Sequence, residues 1–192
     1  MKQITKWKID LENEFNQLKE IAGQLVVEIS VEAFNAKPDP QKWSIGQHLQ
    51  HLNVTGDGYL AEIIKAIENA GNKINVESTA KSTIQEYKPR FLMQKFINEM
   101  EPPVKRKFKV PKAFTPSMDS QLDKEETLRY FIGLQDTFIV KMNEVVQANL
   151  LKVKITSPAT SLFKLQLGEV FPLVTAHERR HLWLGEKGLK SF

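Results

Sequence analysis

Four stretches of this chain repeat their apolar residues at helical period, and each repeat obliges a helix to bury one of its sides. The first stretch runs from Trp7 to Ile29 and sets Trp7, Leu11, Phe15, Leu18, Ile21, Leu25 and Ile29 on one stripe. Lys37-Pro38-Asp39-Pro40 then breaks the chain, because proline lacks an amide hydrogen and disfavours helix in the residue before it. The second stretch runs from Ile45 to Ala70 with Leu49, Leu52, Tyr59, Ile63 and Ile67 facing inward, and Gly71-Asn72 follows as a helix stop. The third begins after Asp123, an N-cap with Glu126 at the third helical position, and reaches Asn149. Its stripe is Leu128, Phe131, Gln135, Phe138, Met142 and Val145. The fourth covers Gln166 to Lys187 and ends at Gly188. Pro172 lies inside it, where a proline costs about 3 kcal/mol, so this helix either starts later or kinks near Phe171.

Helices with one apolar stripe each satisfy one another in a bundle. The expectation is therefore an all-α four-helix bundle, one domain over residues 1–192. The connection from Gly71 to Leu122 is about 50 residues, too long for a tight hairpin. Within it Pro89 to Met100 reads as a short extra helix. Glu101 to Ser120, which holds Pro102, Pro103, Pro111 and Pro116, reads as an extended loop. Such a crossover between the second and third helices is what an up-down-down-up bundle requires.

The histidines make the same demand on topology. All four fall in two segments, His48 and His51 near the start of the second helix, His177 and His181 near the end of the fourth. His51 lies about two turns from one end and His181 about two turns from the other. They meet at one level only if these helices run antiparallel; parallel helices would hold them roughly 10 Å apart along the axis.

Two imidazoles at i and i+4 share a helix face, about 6 Å of rise apart, and grip one ion together. His177 and His181 have this spacing and share a stripe with Val170, Val174 and Leu184, so they face the core. A pair of hydrogen-bonded core histidines would fit that stripe too. His51, from a second helix, completes a three-nitrogen site that leaves positions for water or substrate. His48 has a different role available. Ser44 and Gln47 form a capping box, which puts Trp43 and His48 at the two positions that staple a helix start. His177-Glu178-Arg179-Arg180-His181 also matches the zinc-protease signature. Leu184 and Lys187 stand where metzincins continue with glycine and a third histidine, so the match is accidental. Glu178 points about 100° around the helix from His177 and reads as a surface carboxylate or one supporting a ligand.

Composition removes several functional classes. No run of about 18 apolar residues crosses a membrane. The absence of cysteine excludes disulfides, thiolate ligands and a cysteine nucleophile, and fits a cytoplasmic protein. A formal charge of +4 with no binding motif gives no nucleic-acid partner. The one basic cluster, Lys105-Arg106-Lys107-Phe108-Lys109 with Lys112 beyond, is a solvated loop or a cationic rim drawing anionic substrates to a nearby site.

These features resemble the DinB-like family, a helical fold shared with bacillithiol- and mycothiol-dependent transferases. The resemblance rests on Trp43-Ser44-Ile45-Gly46-Gln47 with His51-Leu52 eight residues after the tryptophan, on His177-x-x-x-His181-Leu182, and on the long second connection. It spans nearly the whole chain. It implies a divalent ion, zinc or nickel, on His51, His177 and His181 at one end of the bundle. It further implies a homodimer and a metal-dependent thiol S-transferase acting on a small molecule. His48 has no ligand counterpart in that pattern. No bacillithiol-binding signature is present, so the substrate does not carry over, and no residue is assigned as catalytic. Two other readings stay open: hydrolysis of a small amide or ester, and a non-catalytic metal-binding bundle.

Overall fold

The computed structural model of the protein describes residues 6–71, 87–116, 121–145, 147–160 and 162–192. Asn72 and positions 117–120 of the expected loop lie outside them. In chain order the elements are α1 (Lys6–Val27), α2 (Val31–Asn35), α3 (Ile45–Gly71), α4 (Phe91–Met100), α5 (Lys124–Glu144), α6 (Gln147–Lys152), β1 (Lys154–Thr156), β2 (Lys164–Gln166) and α7 (Leu167–Leu189). The two strands pair antiparallel as a small hairpin, Ile155 opposite Leu165. The four apolar stretches are the four long helices α1, α3, α5 and α7. Among the described residues no helix is long and apolar enough to cross a membrane.

Each long helix packs on two others: α1 on α5 and α7, and α3 on α5 and α7. Side-chain pairs give the sense of each. Along α3 and α7 the contacts Ile45 with Gly185, His48 with His181 and His51 with His177 descend one helix as they climb the other. Lys19 meets Asp136 while Lys8 reaches the carbonyls of Asn143 and Val145, so α1 and α5 are also antiparallel. Trp7 packs on Phe171 and Glu14 bonds Thr175 and Arg179, which makes α1 and α7 parallel.

The core is the sum of the stripes. Phe15 of α1 stacks on Phe138 of α5 with ring centroids 5.4 Å apart, and both are fully buried. On α1 the buried line is Leu11, Phe15, Leu18, Ala22 and Val26. Ile21, expected inward, is 40% exposed; beyond Leu18 the line advances by fours, and Ala22 takes the inner position.

Three helix ends differ from the expectation. α5 stops at Glu144 instead of Asn149, because Val145 is extended and Lys8 takes up its carbonyl. The chain restarts as α6, which buries Leu150 against the core. α7 starts at Leu167 and runs through Pro172. Pro172 is one turn inside the start, so only one ladder bond is lost. Gln166 and Glu169 secure that start with a capping box. Gly188 does not stop α7; it lets the helix pass Pro38, whose ring would lie 3.3 Å from an added Cβ.

Gly168 is a second close approach. A Cβ there would lie 2.5–2.7 Å from three ring atoms of Tyr87, a ring already packed edge-on against Trp7 and bonded through its hydroxyl to Gln166. Gly168→Ala should destabilise the protein in urea unfolding. Overpacking of this kind costs roughly 1–3 kcal/mol and outweighs the gain of about 1 kcal/mol in helix propensity. An unchanged or higher urea midpoint would show that the Tyr87 ring is free to move.

Candidate metal centre

The site begins with a helix start. Ser44 Oγ accepts from the Gln47 amide and Gln47 Oε1 accepts from the Ser44 amide, both at 3.1 Å. This reciprocal cap fixes where α3 leaves the loop and holds the Trp43 ring over the histidines. Its centroid lies 5.3 Å from His48, 5.1 Å from His51 and 5.9 Å from His181. The expected Trp43–His48 staple is there. His48 has a second contact that spacing does not announce: its Nδ1 is 2.9 Å from His181 Nδ1, one ring donating to the other.

His51 Nδ1 donates to the Phe114 carbonyl at 2.7 Å. A carbonyl only accepts, so the proton is on Nδ1 and the lone pair on Nε2. That nitrogen sits 3.3 Å from His177 Nε2. Two imidazole nitrogens on a tetrahedral ion at about 2.0–2.1 Å stand about 3.3 Å apart, so the pair has the separation of two ligands. His181 closes the group: one ring nitrogen each from His51, His177 and His181 lies within 4.8 Å of the others. Among the described residues this group can hold a metal ion, and His48 lies beside it.

The rings are in the ligating form. Burial holds His48 at about 3, helped by His51. Burial, then the charges of His51, Arg180 and His48, hold His177 at about 3. Burial also takes His181 well below the ordinary value and lowers His51 despite its bond to Phe114. All four are neutral near pH 7, as imidazole ligands must be.

Glu178 is neither on the surface nor beside the histidines. It is 2% exposed and turned towards α5, where Gln135 Nε2 donates to its Oε1 at 3.0 Å. Burial pushes its carboxyl up to about 8. Glu178 Oε2 and Gln135 Oε1 are both buried without a partner among the described residues. The general-base role of the protease signature has no support here.

The three histidines line a cavity of about 1490 Å³, along with Trp43, Thr55 and Tyr59. Lys105, Arg106, Lys107, Phe108 and Lys109 line it too, so the basic segment reaches the histidine end of the bundle; Lys112 does not. The sequence model of the DinB superfamily matches residues 14–184. The chain belongs to the DinB superfamily. The match takes in all four histidines and the greater part of every long helix. No curated protein and no solved structure matches this DinB-superfamily chain. Two parts of the site left no trace in the sequence: the Phe114 carbonyl, because a backbone acceptor has no residue signature, and Arg180, whose place in the cavity wall depends on how α7 packs.

Proposed function

We propose that this DinB-superfamily protein is a metal-dependent enzyme in which His51, His177 and His181 hold a divalent ion, zinc or nickel, and act on a small molecule. The carrying observation is geometric: three neutral imidazoles from two helices converge in the wall of a large cavity, two of them at ligand separation. A dication on three neutral ligands keeps its full charge and lowers the pKa of a thiol or water that joins it. The activity that fits is transfer of a low-molecular-weight thiol to an electrophile.

The chain's own residues prepare such a site. The Phe114 carbonyl fixes the tautomer and tilt of His51, and the ring of His48, bonded to His181 Nδ1, holds the tilt of His181. Trp43 covers three of the rings and limits access of bulk water from that side. Lys105 to Lys109 give the cavity a positive potential that raises the local concentration of anionic cosubstrates.

Cobalt-substituted protein should change its visible absorption when a small thiol such as 2-mercaptoethanol is added. With an alkyl halide as electrophile it should then form the thioether, releasing halide and a proton, faster than protein without metal. Hydrolysis of a small ester, with no spectral response to thiols, would instead establish the hydrolase reading. Silence in both assays would leave a metal-binding bundle without chemistry.

A further inference from the structure

The cavity beside the histidines has walls of one sign. Among the described residues every charged side chain lining it is basic, Lys105, Lys107, Lys109 and Arg180 among them, and no carboxylate lines it. Between these cations the lining is mostly apolar, with Trp43, Phe96, Phe108 and Trp183 contributing rings. A cavity of this kind suits a molecule with a negative end and an apolar body.

Arg180 stands apart from the other arginines around the site. Arg90 pairs with Glu169, Arg106 with Glu99, and the neighbouring Arg179 with both Glu14 and Glu101. Arg180 is 5% exposed, more buried than any of them, yet no carboxylate pairs with it among the described residues. Its Nη1 donates to the Glu99 carbonyl at 3.5 Å and its Nη2 to the Arg106 carbonyl, and the guanidinium lies 5.0 Å over the Phe108 ring. Two carbonyls and a ring position the group without neutralising it. A guanidinium has five N–H donors, so part of its fork is left for another acceptor. A buried charge with no counter-charge is costly, and an anion that reached it would offset that cost. On α7 it lies three residues from His177 and next to His181, so both groups open into one cavity.

We propose that Arg180 is an anion receptor, taking the carboxylate of an amphipathic organic acid whose apolar body lies along the Phe96–Phe108 wall beside the three histidines. A single buried guanidinium matches a singly charged, planar carboxylate, which it grips with two parallel bonds. A phosphate monoester would bring up to twice that charge. The exposed lysines of the loop steer the acid in, and Phe96 and Phe108, edge to face at 5.7 Å, give the body its contact surface. The proposal deepens the enzyme reading by naming its substrate class, and rests on that reading only for what the histidines then do.

The test is a titration with octanoate and uncharged octanamide, followed by the fluorescence of the three tryptophans, two of which, Trp43 and Trp183, line the cavity. It is run on wild-type protein, Arg180→Gln, Arg180→Lys and the metal-deficient His177→Ala. Octanoate should bind wild type more tightly than octanamide does. Arg180→Gln should weaken octanoate roughly 10–100-fold and leave octanamide unchanged. Arg180→Lys should recover part of the loss, because charge remains without the fork. It also serves if the Gln variant does not fold. His177→Ala should keep octanoate within a few-fold of wild type, which separates this site from any ion. The proposal is overturned if Arg180→Gln binds octanoate as wild type does, or if the two probes bind wild type alike. Loss of octanoate in His177→Ala alone would overturn it as well, since the carboxylate would then sit on the metal. Missing metal with octanoate binding still dependent on Arg180 would end the enzyme reading and leave the anion receptor standing.

Discussion

Tag-free protein loaded with zinc should carry about one ion per chain, and His51→Ala and His177→Ala should each carry almost none. The expectation follows from how few donors there are. Among the described residues three imidazoles form the ligand group that α3 and α7 bring together, so removing one leaves two nitrogens of that group, too few to compete with buffer. His48→Ala should behave differently. It removes the ring that holds His181 Nδ1, so the stoichiometry should survive while affinity falls about 10–100-fold, as for other groups that orient a ligand. Stability gives an independent readout. Zinc held at a hundred times its dissociation constant stabilises a folded protein by about 2.7 kcal/mol, which raises the melting temperature of wild type and not of the two ligand variants. His51→Ala also leaves the Phe114 carbonyl without its donor, a loss of roughly 1–3 kcal/mol, so metal content must be measured on protein shown to be folded. Equal zinc in wild type and both ligand variants would place any ion elsewhere, and no zinc in any of them would leave four core histidines.

What was legible in the sequence followed from periodicity. The stripes of α3, α5 and α7 point inward because long helices with a repeating apolar face have only one way to bury it. Gln135 was legible as an inward residue by position alone, but not its reason for being there. Its partner Glu178 lies on another helix, 43 positions away, and nothing local announces that a glutamate beside a ligand will be buried. Elements of three to six residues are too short to show a period, so α2, α6 and the hairpin went unseen, although α2 delivers the fully buried Phe34 ring against Gly46. The three candidate ligands were legible because metal spacing is a local pattern on two helices. The orientation of those ligands was not, since it comes from the Phe114 carbonyl and the Trp43 face. The arginine pair shows the limit most clearly: Arg179 and Arg180 are adjacent and identical in type, yet one is held by two glutamates and the other faces the cavity with none.

Glu169→Gln should destabilise the protein by roughly 2–4 kcal/mol at pH 7 and by less once the pH falls below about 5. The Glu169 carboxylate is fully buried and receives four bonds. Its Oε1 accepts from the Arg90 amide at 3.1 Å and from Arg90 Nε at 2.7 Å, and its Oε2 accepts from Arg90 Nη2 at 2.6 Å and from the Gln166 amide at 2.9 Å. One side chain thus caps α7 and fastens it to the chain entering α4. Gln keeps the volume and one acceptor but cannot receive the guanidinium fork as an anion. The lower part of the range is favoured by Arg90, which is 49% exposed and rehydrates when released. The pH dependence follows from opposing influences on the carboxyl. Burial raises it, while Arg90 and the amides of Gln166 and Arg90 lower it by more, so it titrates below its ordinary 4.5. A depressed carboxyl contributes its full stability above the unfolded value and loses it as pH falls through the folded one. The gap in urea midpoint between wild type and Glu169→Gln should therefore be constant above about pH 5 and narrow progressively below it. A gap as wide at pH 3 as at pH 7 would mean that Gln fails through shape, not charge. The consequence reaches the site, because α4 packs on α7 and carries Phe96 and Met100 into the cavity wall. A loosened Arg90–Glu169 clasp should therefore weaken octanoate binding while leaving zinc content unchanged, since neither residue touches a histidine.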